Sequence, residues 1–235
     1  MPEQPAIFRD LEPILIDYFA TEGPHLDELY NWNIPEIVPF GLFKRQTDSC
    51  ARANMRLRRF LAEAWRNKAA QRIEIAQWYV SVWGGIRANK NGTIAKYVSL
   101  PETELAASGP QGVATWSKIL AVRNPDTYPI YDARVCASLS AVQFINRIES
   151  PILFPQVPSR NSKIIGFQEW INRKPSGSVT KVRRHRAYGD YVSLLSTVAK
   201  KSGLTSPEEV EMVLFANAET LVDQILNSSV RNGPP

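Results

Sequence analysis

Cysteine and histidine are scarce in this 235-residue chain, with two of each. Cys50 and Cys136 stand alone, outside any C-x-x-C or Cys/His spacing, which argues against a zinc or iron–sulfur site. In a reducing compartment two lone cysteines are most simply free thiols. His25 and His185 are far apart in sequence, so a histidine metal centre cannot be built from them. No metal and no cofactor is expected. An enzyme made from this chain would work with carboxylate, amine or backbone groups. Long apolar runs are also missing: nothing approaches the roughly 20 residues that span a bilayer, so no membrane contact is expected. Met1 to Asp10 has acids and prolines where a secretion signal has a basic and then an apolar stretch. The expectation is a soluble, cytoplasmic protein.

What the chain does contain is ordinary globular material. Apolar residues make up 44% and charged residues 22%, which leaves no case for wholesale disorder. The length suits one large domain or two small ones fused through a shared core. The formal charge of +5 favours a polyanionic partner without proving one. Its distribution says more. Residues 173–186 carry Arg173, Lys174, Lys181, Arg183, Arg184, His185 and Arg186 and no acid. Phosphate contact by this loop is expected, with His185 near a nucleic-acid backbone or solvent.

Helical periodicity dominates. Residues 11–19 suit a short helix ending near Gly23-Pro24. Trp32 to Phe43, with Pro35, Pro39 and Gly41, reads as an extended packed connector. Asp48 or Ser49 is a plausible cap for a helix carrying Leu57, Phe60, Leu61, Ala64 and Trp65 at helical spacing. Arg52, Arg56, Arg59 and Arg66 fall mostly off that stripe and read as a solvated face. A second helix has Ile73, Ala76, Tyr79, Val80 and Trp83 on one side and stops at Gly84-Gly85. Weak helices follow near 94–97 and 101–107, then a break at Gly109-Pro110-Gln111-Gly112. Further helices are predicted over 114–122, from Asp132 through the mid-140s, over 163–172 and over 187–202. The last follows Ser206-Pro207-Glu208-Glu209, a capping box. It buries Val210, Val213, Leu214, Leu221 and Leu226, and the tail frays from Asn227. The core helices thus occupy about 48–148, and the basic loop is followed by the C-terminal helices to 226, all within one unit.

One stretch carries candidate chemistry. Gly112-Val113-Ala114-Thr115-Trp116-Ser117-Lys118-Ile119-Leu120 is followed by a loop and by Pro129-Ile130-Tyr131-Asp132-Ala133-Arg134-Val135. A glycine turn, an apolar helix, and an aspartate opening the next helix after a proline resemble the core of the helix-hairpin-helix DNA glycosylase superfamily. Trp83-Gly84-Gly85-Ile86-Arg87 and Val210-Glu211-Met212-Val213-Leu214-Phe215 are similar to features of an 8-oxoguanine DNA glycosylase-like bacterial branch. The correspondence is densest over residues 109–140.

The resemblance implies an all-α fold with two helical lobes around a cleft. It implies DNA as partner and hydrolysis of the N-glycosidic bond of a damaged or modified base, in repair or in defence against foreign DNA. Asp132 would be the catalytic carboxylate, with Lys118 as nucleophile or charge partner. Gly112, Arg134, Lys181, Arg183, Arg184 and Arg186 would contact DNA, and Trp78, Trp83 and Trp116 would line the base pocket. The chain departs from the family in three places: Val113-Ala114 stands where a second hairpin glycine is usual, only fourteen residues separate Lys118 from Asp132, and Arg134 replaces a common histidine. Hydrolysis therefore ranks ahead of lyase chemistry.

Physical chemistry supports the pair independently. Losing a base leaves an oxocarbenium-like sugar that a carboxylate can stabilise. A helix N-terminus favours the ionised carboxylate, and a desolvated lysine can attack C1′ as an amine. A base can be reached only outside the stack, so an aromatic pocket is required. Without the resemblance, Asp132 is simply a helix cap, Lys118 an exposed lysine, and most tryptophans core. Two alternatives stand beside the enzyme: a non-catalytic nucleic-acid-binding protein keeping the fold, and a helical module whose basic loop meets an acidic protein partner.

Overall fold

A computed structural model describes residues 8–44 and 48–231, and the side chains of these residues up to 228. The chain is 63% helical and 2% strand, an all-α composition. Helix α1 (Leu11–Glu22) and the single turn α2 (Leu26–Leu29) precede the extended connector at 31–44. Helix α3 (Cys50–Asn67) and α4 (Arg72–Gln77) follow, and α4 runs directly into a π-helical turn, Trp78–Trp83. Three short helices come next: α5 (Thr93–Ser99), α6 (Glu102–Ala106) and α7 (Val113–Arg123). Helix α8 (Ala133–Ile145), α9 (Ser162–Asn172), α10 (Ala187–Ser202) and the long α11 (Pro207–Arg231) complete the described chain. Two two-residue strands that periodicity does not predict, β1 (Ile152–Leu153) and β2 (Thr180–Lys181), pair in parallel, Ile152 with Thr180 and Leu153 with Lys181. Among the described residues no helix is long and apolar enough to cross a membrane.

Local chemistry sets these boundaries. Ser49 caps α3, its hydroxyl accepting the Arg52 N–H. Asp132 caps α8 and Asn161 caps α9, each carboxyl or amide oxygen accepting two backbone N–H groups. At α11 the Ser206 hydroxyl accepts the Glu209 N–H, but the Glu209 carboxylate reaches past the cap to Thr205, taking both its N–H and its hydroxyl. This is a capping box displaced by one residue. Helix α11 continues past Asn227 to Arg231.

Buried apolar side chains form one contiguous cluster from Phe8 to Ile225. Helix α11 lies along its centre, packed most extensively on α8 and also on α9 and α10. Arg52, Arg59 and Arg66 of α3 are exposed and Arg56 is half-buried, as their spacing suggests, but three of the four also reach acidic partners. Arg52 meets Glu209 at 2.6 Å, Arg59 meets Glu208 at 2.8 Å and Asp126 at 3.1 Å, and Arg56 pairs with Asp48. Arg58, fully buried, lies 2.7 Å from Glu211 and 3.3 Å from Glu208, the latter a charge contact without hydrogen-bond geometry. A ladder of Arg–Glu pairs therefore joins α3 to the first turns of α11.

Candidate active site

The helix that follows the glycine turn and the aspartate that opens the next helix both reach one small pocket. Between α6 and α7 the chain reverses through Gly109 and Gly112, both in the left-handed region at φ 73° and 69°. At Gly112 a Cβ would also collide with the Tyr97 hydroxyl, so both backbone and packing demand glycine there. Trp116 braces the turn from below, its indole N–H donating to Gln111 O at 3.0 Å. Helix α7 then carries Lys118 inward. Pro129 and the extended Ile130 and Tyr131 lead to Asp132, whose Oδ1 accepts the Arg134 and Val135 N–H groups at 3.0 and 3.1 Å.

Lys118 and Asp132 line the same pocket. Helix α11 supplies Glu211 and Phe215 to it, the end of the π-turn supplies Trp83 and Gly84, and the chain after α2 supplies Tyr30 and Trp32. Water centres can occupy about 40 Å³ of this space. The walls are aromatic and interlocked. Trp83 stacks on Tyr79 with centroids 4.2 Å apart and donates its indole N–H to Asn54 Oδ1 at 2.7 Å. Trp32 donates to the Trp83 carbonyl at 3.1 Å and sets its ring edge-on to Phe215 at 5.4 Å.

Lys118 is 4% exposed. Its stem runs over Gly84, where a Cβ would sit 2.7 Å from Lys118 Cε, so only glycine leaves the channel open. Among the described residues Nζ makes one hydrogen bond, 3.3 Å to Ala114 O, and no ion pair. Burial pushes the pKa of this amine below the usual lysine value, the Asp132 and Glu211 charges pull it partly back, and Arg58 adds to the lowering. Glu211 is as deeply enclosed. Its Oε2 accepts Arg58 Nη1 at 2.7 Å and the Ile130 N–H at 3.4 Å. Burial raises its pKa, and Arg58 opposes the rise. Three ionisable groups thus line one small pocket, where each feels the charge of the others more strongly than it would in water.

The remaining candidates are scattered. Trp83 is a pocket wall. Trp116 does not line the pocket: it is fully buried core, packed edge-on against Tyr188 at 4.7 Å. Trp78 is half-buried on the π-turn and does not line the pocket either. Arg134 is occupied, paired with Glu219 at 2.7 Å and set over the Phe215 ring at 5.1 Å. Gly112 is exposed at the turn. Lys181, Arg183, Arg184 and Arg186 are exposed, and of these only Arg186 has an acid nearby, Asp190 at 3.5 Å. His185 is exposed as well. Cys50 and Cys136 are free thiols, and burial pushes that of Cys136 up to about 11, an inert state. No cluster of ligating side chains that could hold a metal occurs among the described residues.

Four pocket residues escape periodicity: Tyr30, Trp32, Glu211 and Phe215. The usable signal for Glu211 was an acid inside an otherwise apolar run, Val210 to Phe215, since a solvated acid rarely sits in such a run. No family model, curated protein or solved structure matches the chain.

Proposed function

We propose that this chain is a DNA N-glycosylase of the helix-hairpin-helix type, two-lobed about the Lys118–Asp132 pocket. One observation carries the reading: an unpaired, desolvated amine and a helix-capping carboxylate line one aromatic pocket. In this scheme an extruded base enters among Trp32, Trp83 and Phe215. The Asp132 carboxylate then stabilises the oxocarbenium-like sugar as the base departs. Water attack at C1′ yields an abasic site. Lys118 is the alternative nucleophile, and its burial favours the neutral amine that this step requires. The closed pocket is far smaller than the roughly 300–1,000 Å³ of ordinary ligand pockets, so the half-buried Trp32 and Phe215 at its rim must part for a base to enter.

The test is excision on duplexes bearing oxidised, deaminated, alkylated and hypermodified bases. Asp132→Asn should abolish excision and leave DNA affinity nearly unchanged, because an amide oxygen still caps α8 but carries no charge. A folded Asn variant with full excision on a substrate that the wild type cuts overturns the reading. Borohydride trapping separates the two chemistries. A covalent adduct that is lost in Lys118→Gln identifies the amine as nucleophile, whereas abasic product without adduct identifies hydrolysis.

A second reading, binding without excision, is favoured by the acid-free exposed run Lys181–Arg184. It predicts DNA affinity in the same assays and no excision on any substrate of the panel.

A further inference from the structure

A groove separate from the Lys118–Asp132 pocket lies between the end of α9, the β1–β2 pair and the basic segment. Water centres can occupy about 660 Å³ of it. Its floor is apolar, formed by Leu153, Phe154, Ile171, Val179 and Val182. Its rim carries Lys174, Lys181 and Arg184, and no acidic residue lines it. Lys174 is held over the Trp170 ring at 3.7 Å, which fixes one charge at the edge. Lys181 and Arg184 have no acid partner among the described residues. The short parallel pairing of β1 with β2 sets the walls, with Val182 N–H donating to Leu153 O at 3.0 Å.

We infer that this groove binds a segment of unpaired DNA strand, its bases against the apolar floor and its phosphates along Lys174, Lys181 and Arg184. Shape decides between single strand and duplex. A duplex presents a convex wall of phosphates and keeps its bases stacked inside, so it gains nothing from an apolar concavity. An unpaired strand offers both surfaces at once: base faces that leave water and phosphates that meet cations. A concave site with an apolar floor and a rim whose charged groups are all cations, set among Gln156, Asn172 and Ser176, matches that pair of surfaces. The inference rests on the nucleic-acid part of the proposed function and is independent of base excision.

The experiment is fluorescence anisotropy of the full chain with a labelled oligothymidylate and, separately, with a duplex of equal length, across a salt series. Lys181→Gln combined with Arg184→Gln should weaken single-strand binding about tenfold or more. It should also flatten the salt dependence by about 1.4 in log–log slope, the value for two single-strand phosphate contacts. Duplex affinity should fall less. Val179→Asp, at a half-buried floor position, should weaken single-strand binding further. Arg183→Gln with Arg186→Gln, outside the groove lining, should affect the single strand less than the first pair does. Circular dichroism melts establish that each variant is folded. Equal losses on duplex and single strand, equal losses for the two double variants, or no loss from the first would each overturn the inference. Asp132→Asn retaining single-strand affinity, even if no excision is ever found, leaves it standing.

Discussion

An ammonium group withdrawn from water loses far more solvation than one 3.3 Å hydrogen bond returns, and Lys118 has only that bond. Under the proposed function, stability is sacrificed here for chemistry. Lys118→Met, close in volume and free of charge, should therefore raise stability, by about 1–2 kcal/mol, while removing any amine chemistry. Urea denaturation checks the first outcome and borohydride trapping the second. The pH dependence has a definite sign. Burial lowers the folded-state pKa of Lys118 below its unfolded value near 10.4. Between the two the unfolded chain binds more protons, so stability rises with pH across that window. The wild type should show this rise and the Met variant should lack it, and a difference curve between the two isolates it from other titrations. Gly84→Ala acts on the same side chain. Its Cβ would press on Lys118 Cδ and Cε and on the Val80 carbonyl at 2.8 Å, and the crowding should cost about 1–3 kcal/mol, read as a lowered melting temperature. At this scale the sequence was informative where chemistry is local. Asp132 followed from a proline, an extended stretch and a helix start. The resemblance points Trp116 at a base pocket, whereas its burial on Tyr188 depends on a helix more than sixty residues away.

Among elements, the contact between α3 and α11 is unusual in being made of charge. Arg58 sits inside the apolar stripe of α3, between Leu57 and Leu61, and faces two buried glutamates. Arg58→Ala would strand the Glu211 carboxyl, leaving Glu208 to Arg59 alone, and should destabilise the fold by about 3–5 kcal/mol. Because Glu211 also holds the Ile130 N–H two residues before Asp132, the same variant should disturb the Asp132 loop. Chemical denaturation gives the stability, and amide hydrogen exchange at Ile130 reports the loop; normal protection there would disprove the coupling. Helix positions were largely legible, since apolar residues recur at 3.6-residue spacing in α3, α8, α10 and α11. The Arg–Glu ladder was not, because periodicity assigns a charged residue to solvent unless its partner is known, and the partners lie about 150 residues apart.

For the molecule as a whole, the ladder changes how the net charge of +5 is distributed. Arginines of α3 are neutralised internally by α11, Arg134 by Glu219, and Lys163 by Asp223. Lys181, Arg183 and Arg184 are the densest run of exposed cations without an ion pair among the described residues, while others such as Arg66, Lys68, Arg87, Lys90 and Arg147 are scattered. Removing charge at Arg183, Arg184 and Arg186 should weaken duplex binding and flatten its salt dependence by up to about one unit per lost phosphate contact. Unchanged affinity and slope would instead favour an acidic protein partner. Composition announced the charge and the acid-free loop announced its place. The pocket itself was not readable, because Tyr30, Trp32, Lys118, Asp132 and Phe215 come from four separated stretches of chain that only the packed fold brings together.

The π-turn at Trp78–Trp83 has a consequence for inheritance. Gly84 N–H reaches back to Tyr79 O, five residues away, at 2.9 Å, so the turn holds one residue more than an α-helix would. Loss of a single codon at the exposed Val82 would let the segment relax to ordinary α-helix. The Gly84 N–H would then meet the Tyr79 carbonyl as an ordinary i+4 bond, so Trp83 and Gly84 would keep their places beside Asn54 and Lys118. Such a lineage should express a folded protein of nearly normal stability with the pocket intact. Among descendants of this gene, one-residue length differences should therefore collect within 78–83 more readily than within α3 or α8.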